Sequence, residues 1–195
     1  MTDLAKMLKP VYATNPLLVW QIIWINLAFN SSIVNWYVNN TKADYAYSKA
    51  ELVELLKEEY PNLKGATLKN PVDALVNTFT NSPLGAMSPD EVESLKLGLL
   101  TKKGVAVKSV QRYGSSKISS AAVAYLLYKN AEQNDMYELT VSDIYDKGCM
   151  GVANVFNMDV DAFLNSLRGF CLLYTSDQPC RMGWTYGISI SEAYR

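Results

Sequence analysis

The 195-residue chain contains no histidine. That removes the commonest general base, the commonest metal ligand and every Ser-His or Cys-His nucleophile pair. Cysteine is scarce: Cys149, Cys171 and Cys180 are odd in number and form no CxxC pair. A disulfide scaffold is therefore not expected, and a reducing, cytoplasmic setting is. The chain has no GxGxxG, no Walker-type loop and no GxSxG, the motifs that would mark a dinucleotide site, a P-loop or a hydrolase elbow. Net charge is also nearly absent, with 18 Lys and Arg against 19 Asp and Glu. The molecule as a whole does not attract polyanions, so a nucleic-acid face must come from local charge. These absences point away from an enzyme, and no cofactor or metal is expected.

Two local absences carry more information. Residues 11–41 include no charged side chain. Within them, Pro16 to Phe29 is strongly apolar but too short for a spanning helix, and Gln21, Asn26, Asn30, Ser31, Ser32 and Asn35 interrupt the run. Lys6 and Lys9 precede it as in a signal peptide, but Phe29-Asn30 is a poor cleavage site. The segment reads as a buried central helix, apolar on nearly all sides, and no membrane partner is expected. The second absence is of acids: residues 95–131 carry seven cations, Lys96, Lys102, Lys103, Lys108, Arg112, Lys117 and Lys129, and no Asp or Glu. From Glu132 onward the balance reverses, with nine acids against four cations.

What is present is a globular composition, 49% hydrophobic, long enough for one domain or two small ones. Thr14-Asn15-Pro16 starts a helix that runs to about Asn30 and continues, straight or after a bend, to Asn39-Asn40-Thr41. Tyr45-Ala46-Tyr47 suggests a short strand, and Ser48-Lys-Ala-Glu51 a capping box opening a helix that stops at Tyr60-Pro61. Asn70-Pro71 suggests the start of another helix, with Val72, Leu75, Val76 and Phe79 inward and Asn81-Ser-Pro83 as its end. Ser88-Pro-Asp-Glu91 suggests a short helix, and residues 99–113 a β-hairpin turning at Lys103-Gly104. A helix over 119–131 follows, then one capped at Thr140-Val-Ser-Asp143. Asp159 caps a helix ending at Gly169, and 171–174 and 184–190 read as a final pair of strands.

The order repeats. A helix, a capped helix, a helix with Val72-Asp-Ala-Leu-Val-Asn-Thr-Phe79 and a hairpin are echoed by a helix, a capped helix, Val160-Asp-Ala-Phe-Leu-Asn-Ser-Leu167 and two strands. Three helices and a β-hairpin make the winged variant of helix-turn-helix. The expectation is a mainly α protein with short β-hairpins (α+β), built of tandem winged-helix-like units over residues 1–114 and 115–195.

Two carboxylate pairs invite a hydrolytic or metal reading. Asp143 with Asp146, and Asp159 with Asp161, lack a third positioned ligand, and Asp143 and Asp159 are explained as helix starts. Cys149 follows Lys147, but without histidine a catalytic thiol is not supported. Candidate phosphate contacts are Lys64 and Lys69, before the expected third helix, and Lys102, Lys103, Lys108 and Arg112 in the expected wing. A solubilising face explains the same cations equally well.

The helix Leu18-Val-Trp-Gln-Ile-Ile-Trp24, the Tyr47-Ser-Lys-Ala-Glu-Leu52 helix start, Lys69-Asn-Pro-Val-Asp73, Leu97-Gly-Leu-Leu100 and the two-strand C-terminus resemble a bacterial domain family of unknown function. Its genes sit beside a PAPS-reductase-like enzyme in DNA phosphorothioation (Dnd-type) or related phage-defence clusters. The resemblance spans most of the chain. Family members usually carry a further N-terminal helix-turn-helix region, and often a histidine where Ile23 stands. It implies a setting of DNA modification and defence, and no catalytic residue. The expected partners are duplex DNA and a protein from the same gene cluster. The alternative is a protein–protein adaptor with the same fold and no nucleic-acid binding.

Overall fold

The computed structural model describes residues 2–42, 45–80, 100–101, 109–111, 118–135, 138–140, 150–174 and 187–189. The described chain is mainly α-helical, with two small antiparallel sheets. Its elements are α1 (Asp3–Thr14), α2 (Pro16–Asn30), α3 (Ser32–Asn40), β1 (Ala46–Ser48), α4 (Lys49–Glu59), α5 (Gly65–Thr80), β2 (Leu100–Thr101) and β3 (Ser109–Gln111). They continue with α6 (Ser120–Asn134), β4 (Glu138–Thr140), α7 (Val152–Phe156), α8 (Val160–Tyr174) and β5 (Gly187–Ser189).

The charge-free segment is the middle of the structure. Asn15 accepts the Leu18 N–H at 3.1 Å and Pro16 fills the first turn, so α2 begins where the sequence suggests. Val19, Gln21, Ile22, Trp24, Ile25 and Ala28 of α2 are buried. Ser31 takes an extended conformation, and α3 leaves at 96° to α2. The Asn35 side chain donates to Ala28 O at 3.1 Å across that bend, meeting a carbonyl that the end of α2 leaves without a helical partner. Among the described residues no single helix is long and apolar enough to cross a membrane. The bent α2–α3 pair passes that test only when joined, and its large side chains Trp24, Trp36 and Tyr37 are buried within the protein.

One hydrophobic cluster holds the two halves of the chain together. It runs from Trp24, Trp36, Tyr37, Leu52 and Leu75 to Leu126, Val155, Phe156 and Phe163. Each such side chain contributes about 1.5–3 kcal/mol when fully buried. The first sheet has the order β1-β3-β2, with Tyr47 opposite Val110 and Thr101 opposite Val110 on the other side. The second pairs β4 with β5, Leu139 opposite Ile188.

Several expectations need correction. The third helix starts at Gly65, not at Asn70-Pro71, and Pro71 lies inside it. The missing Pro71 N–H deprives Thr67 O of a partner, but Thr67 is exposed, so solvent can supply one. The helix after Asp159 passes through Gly169 and ends at Tyr174, so 171–174 is helix and not strand. Val160, Phe163, Leu164, Leu167, Cys171 and Tyr174 keep helical spacing, and a short apolar run is ambiguous by periodicity alone. The strand within 184–190 is β5, and it pairs with β4, which propensity did not reveal. Helices α1 and α7 were also missed. Pro10 masks α1, and α7 has only five residues, closed by Asn157 in the left-handed region at φ 50°. The ends of the 99–113 hairpin are the antiparallel strands β2 and β3. The Lys103-Gly104 turn, the Ser88 helix, the helix capped at Thr140-Asp143 and the 114/115 boundary lie outside the described residues.

Candidate nucleic-acid interface

The candidate surface is built on α4, the turn after it, and α5. Ser48 caps α4: its hydroxyl accepts the Glu51 N–H at 3.2 Å while Glu51 accepts the Ser48 N–H at 2.7 Å. The Ser48 backbone amide first, and then its hydroxyl, hold the Glu51 carboxyl below its ordinary pKa. After Tyr60 the chain turns, with Leu63 N donating to Tyr60 O at 3.1 Å. Lys64 O then accepts from Thr67 N at 2.9 Å and from Leu68 N at 3.3 Å, which makes Lys64 the residue from which α5 springs.

Lys64 and Lys69 are both exposed, at and just beyond the positively polarised start of a 16-residue helix. Gly65, between Lys64 and the body of the helix, has open space where a side chain would stand. The inward face of α5 carries Leu68, Val72, Leu75 and Val76, and Lys69 borders it. Lys49 Nζ meets Asp73 Oδ1 at 2.7 Å and ties α4 to α5. That hydrogen bond is the main reason the Asp73 carboxyl is held below its ordinary pKa, with the charges of Lys49 and Lys69 adding to it against a desolvation that opposes.

The surroundings are not uniformly basic. Over residues 49–80 the cations Lys49, Lys57, Lys64 and Lys69 face five acids, Glu51, Glu54, Glu58, Glu59 and Asp73. Glu54, Glu58 and Glu59 are exposed on α4. Of the six cations read from the sequence as phosphate contacts, the structure places Lys64 and Lys69 on one helix end. Lys102, Lys103, Lys108 and Arg112 lie outside the described residues. Lys129, the last cation of the acid-free run, pairs with Glu132 at 2.7 Å, and that hydrogen bond is the first cause of its raised pKa. The two line a shallow cleft of about 230 Å³ with Phe29, Asn30 and Gln133.

Of the carboxylates that could serve hydrolysis, Asp159 is a helix cap and Asp161 lies exposed in the first turn of α8. Asp159 Oδ1 accepts the Ala162 N–H at 2.7 Å, at the head of α8. Asp143, Asp146 and Cys149 lie outside the described residues. Among the described residues no three Cys, Asp or Glu side chains gather as metal ligands would.

The polar groups that sequence reasoning undervalued are uncharged. Gln21, Asn26 and Asn35 read as interruptions of an apolar run and Asn39 as part of the polar stop after it, yet each bonds the second half of the chain. Ser119 N donates to Gln21 Oε1 at 3.1 Å, Tyr125 OH to Asn26 Oδ1 at 3.1 Å, and Asn154 Nδ2 to Asn39 Oδ1 at 2.9 Å, while Asn35 Nδ2 lies 3.5 Å from Met150 Sδ. Trp24 Nε1 donates to Val155 O at 2.7 Å in the same buried zone. The available signal was the i, i+4 spacing of Asn35 and Asn39, which puts both amides on one helical face. Compared with known proteins, the chain matches no family model, no curated protein and no solved structure.

Proposed function

We propose that the protein is a non-catalytic, DNA-associated accessory or regulatory protein of a DNA-modification or phage-defence system, built of two winged-helix-like units. The observation that carries this reading is the order of the first half. Helix α3, strand β1, helices α4 and α5, then β2 and β3 follow one another, and β1 closes the sheet against β3. A winged helix-turn-helix requires a helix pair with an exposed second helix, backed by a small sheet whose last two strands form the wing. In this reading α5 is the groove-facing helix. Lys64 and Lys69 lie at its entry, and Lys102, Lys103, Lys108 and Arg112 on the wing contact phosphates. The second half, with β4 paired to β5 after α6 and an acidic composition, docks a protein partner. The defence setting rests on the resemblance set out above.

A second reading, a protein–protein adaptor of the same architecture that binds no nucleic acid, is favoured by one observation. The exposed carboxylates Glu54, Glu58 and Glu59 lie on α4, the helix that would cross the phosphate backbone.

The test is a titration of the full chain with duplex DNA at several salt concentrations, against Lys102→Ala/Lys103→Ala/Lys108→Ala, on plain and phosphorothioated duplexes. The DNA reading expects affinity to fall with salt, and the slope of log K against log salt to shrink by about 0.9 for each phosphate contact removed. Tighter binding to the modified duplex would add recognition of the modification. Absence of binding to both duplexes at low salt would leave the adaptor reading.

A further inference from the structure

Met150 stands at the junction of the two halves with its sulfur turned toward amide donors. Asn39 Nδ2 lies 3.2 Å from Met150 Sδ and Asn35 Nδ2 lies 3.5 Å from it, both from α3. The same Asn39 accepts from Asn154 of α7 at 2.9 Å, and Asn130 of α6 donates to Met150 O at 3.4 Å. Side chains from α3 and α6 thus reach one half-buried methionine, at its sulfur and its carbonyl, and α7 joins through Asn39. A thioether is a weak acceptor, and a methionine that merely fills a gap has no use for two N–H groups aimed at its sulfur.

We propose that Met150 is an oxidation site through which peroxides loosen the seam between α3 and the α6–α7 region. A peroxide transfers one oxygen to the thioether. A sulfur lone pair forms the S–O bond, the O–O bond breaks, sulfur is oxidised to the sulfoxide and hydrogen peroxide leaves as water. One lone pair is consumed, on the side of the sulfur that Asn35 and Asn39 approach. An amide-to-oxygen hydrogen bond alone takes about 2.7–3.2 Å, which already fills the 3.2 Å between Asn39 Nδ2 and Met150 Sδ before the S–O bond is added. An oxygen on that side of the sulfur is crowded by the Asn39 amide, so α3 shifts from the 150–154 segment or the amides turn to admit it. The inference does not rest on nucleic-acid binding.

The test treats the full chain with graded hydrogen peroxide. Sulfoxide is located by peptide mass spectrometry, and thermal unfolding is followed before and after a methionine sulfoxide reductase. Met7, 70% exposed, and Met158, 2% exposed, are internal standards for free and shielded sulfur. The expected result is oxidation of Met150 ahead of Met158 in the folded protein, with a melting temperature lowered by about 2–4 °C and restored by the reductase. Met150→Leu keeps the volume without the oxidisable sulfur, and its melting temperature should not respond to peroxide. Sulfoxide at Met150 with unchanged melting, a peroxide-dependent loss of equal size in Met150→Leu, or a Met150 that stays reduced until the protein unfolds would each overturn the proposal.

Discussion

Gln21 is fully buried on α2, among Ile22, Trp24 and Ile25, and its Oε1 accepts the Ser119 N–H that opens α6. Replacing it by leucine makes the helix more apolar but takes the partner from that N–H at a part-buried position. An unmet buried polar group costs about 1–3 kcal/mol. Gln21→Leu is therefore expected to lower stability by about 1–3 kcal/mol in urea titration, and a neutral or stabilising result would contradict this role. At this scale the sequence was half legible. The glutamine was visible as a break in an apolar run, but its partner lies 98 residues away and no local rule connects the two. The same holds for Asn26 with Tyr125 and Trp24 with Val155. By contrast Ser48, Glu51 and Asp159 act locally, and their capping roles could be read directly from spacing.

Helices α4 and α5 meet across the Lys49–Asp73 pair, which fixes how the start of α5 is presented beside α4. Because the folded Asp73 pKa is lowered, the pair stabilises the fold above the unfolded carboxylate value of about 3.9, and that contribution disappears as pH falls through the lower folded value. The Asp73 side chain keeps 35% of its exposure, so solvent screening limits the pair to at most about 1 kcal/mol. Lys49→Met is expected to flatten this part of the acid limb of stability against pH, as followed by urea titration at a series of pH values. An acid limb as steep as the wild type's would show that another carboxylate governs it. Elements proved legible where caps and period agreed, as for α2 and α4. They were misread where one residue outweighed a longer pattern: Pro71 shifted the expected start of α5, and Gly169 cut α8 short. Strand β4 offers three residues, too few for alternation to stand out, and its pairing with β5 is a long-range fact.

Across the whole molecule, one cluster of buried side chains spans residues 24–163, and α2 lies inside it with hydrogen bonds to both α6 and α7. The apolar, charge-free segment therefore serves as the common wall against which both halves pack. That explains its composition without a lipid phase, because a helix buried on most sides must be apolar on most sides. The mainly helical class and the central place of α2 were readable from hydropathy. The path of the sheet, with β1 joined to β3, was not, since the strand candidate at 45–47 carries no mark of its partner. The proposed interface is equally a whole-molecule property: it needs the start of α5 and the wing on one side, while the acids of α4 and of the second half stay off the duplex. Hydrogen–deuterium exchange of the full chain with and without duplex DNA at low salt tests this most directly. The account predicts slowed exchange in peptides covering 64–70 and 100–113, and unchanged exchange over 150–168. Protection confined to the second half, or none in any peptide under conditions where DNA is in excess, would contradict it.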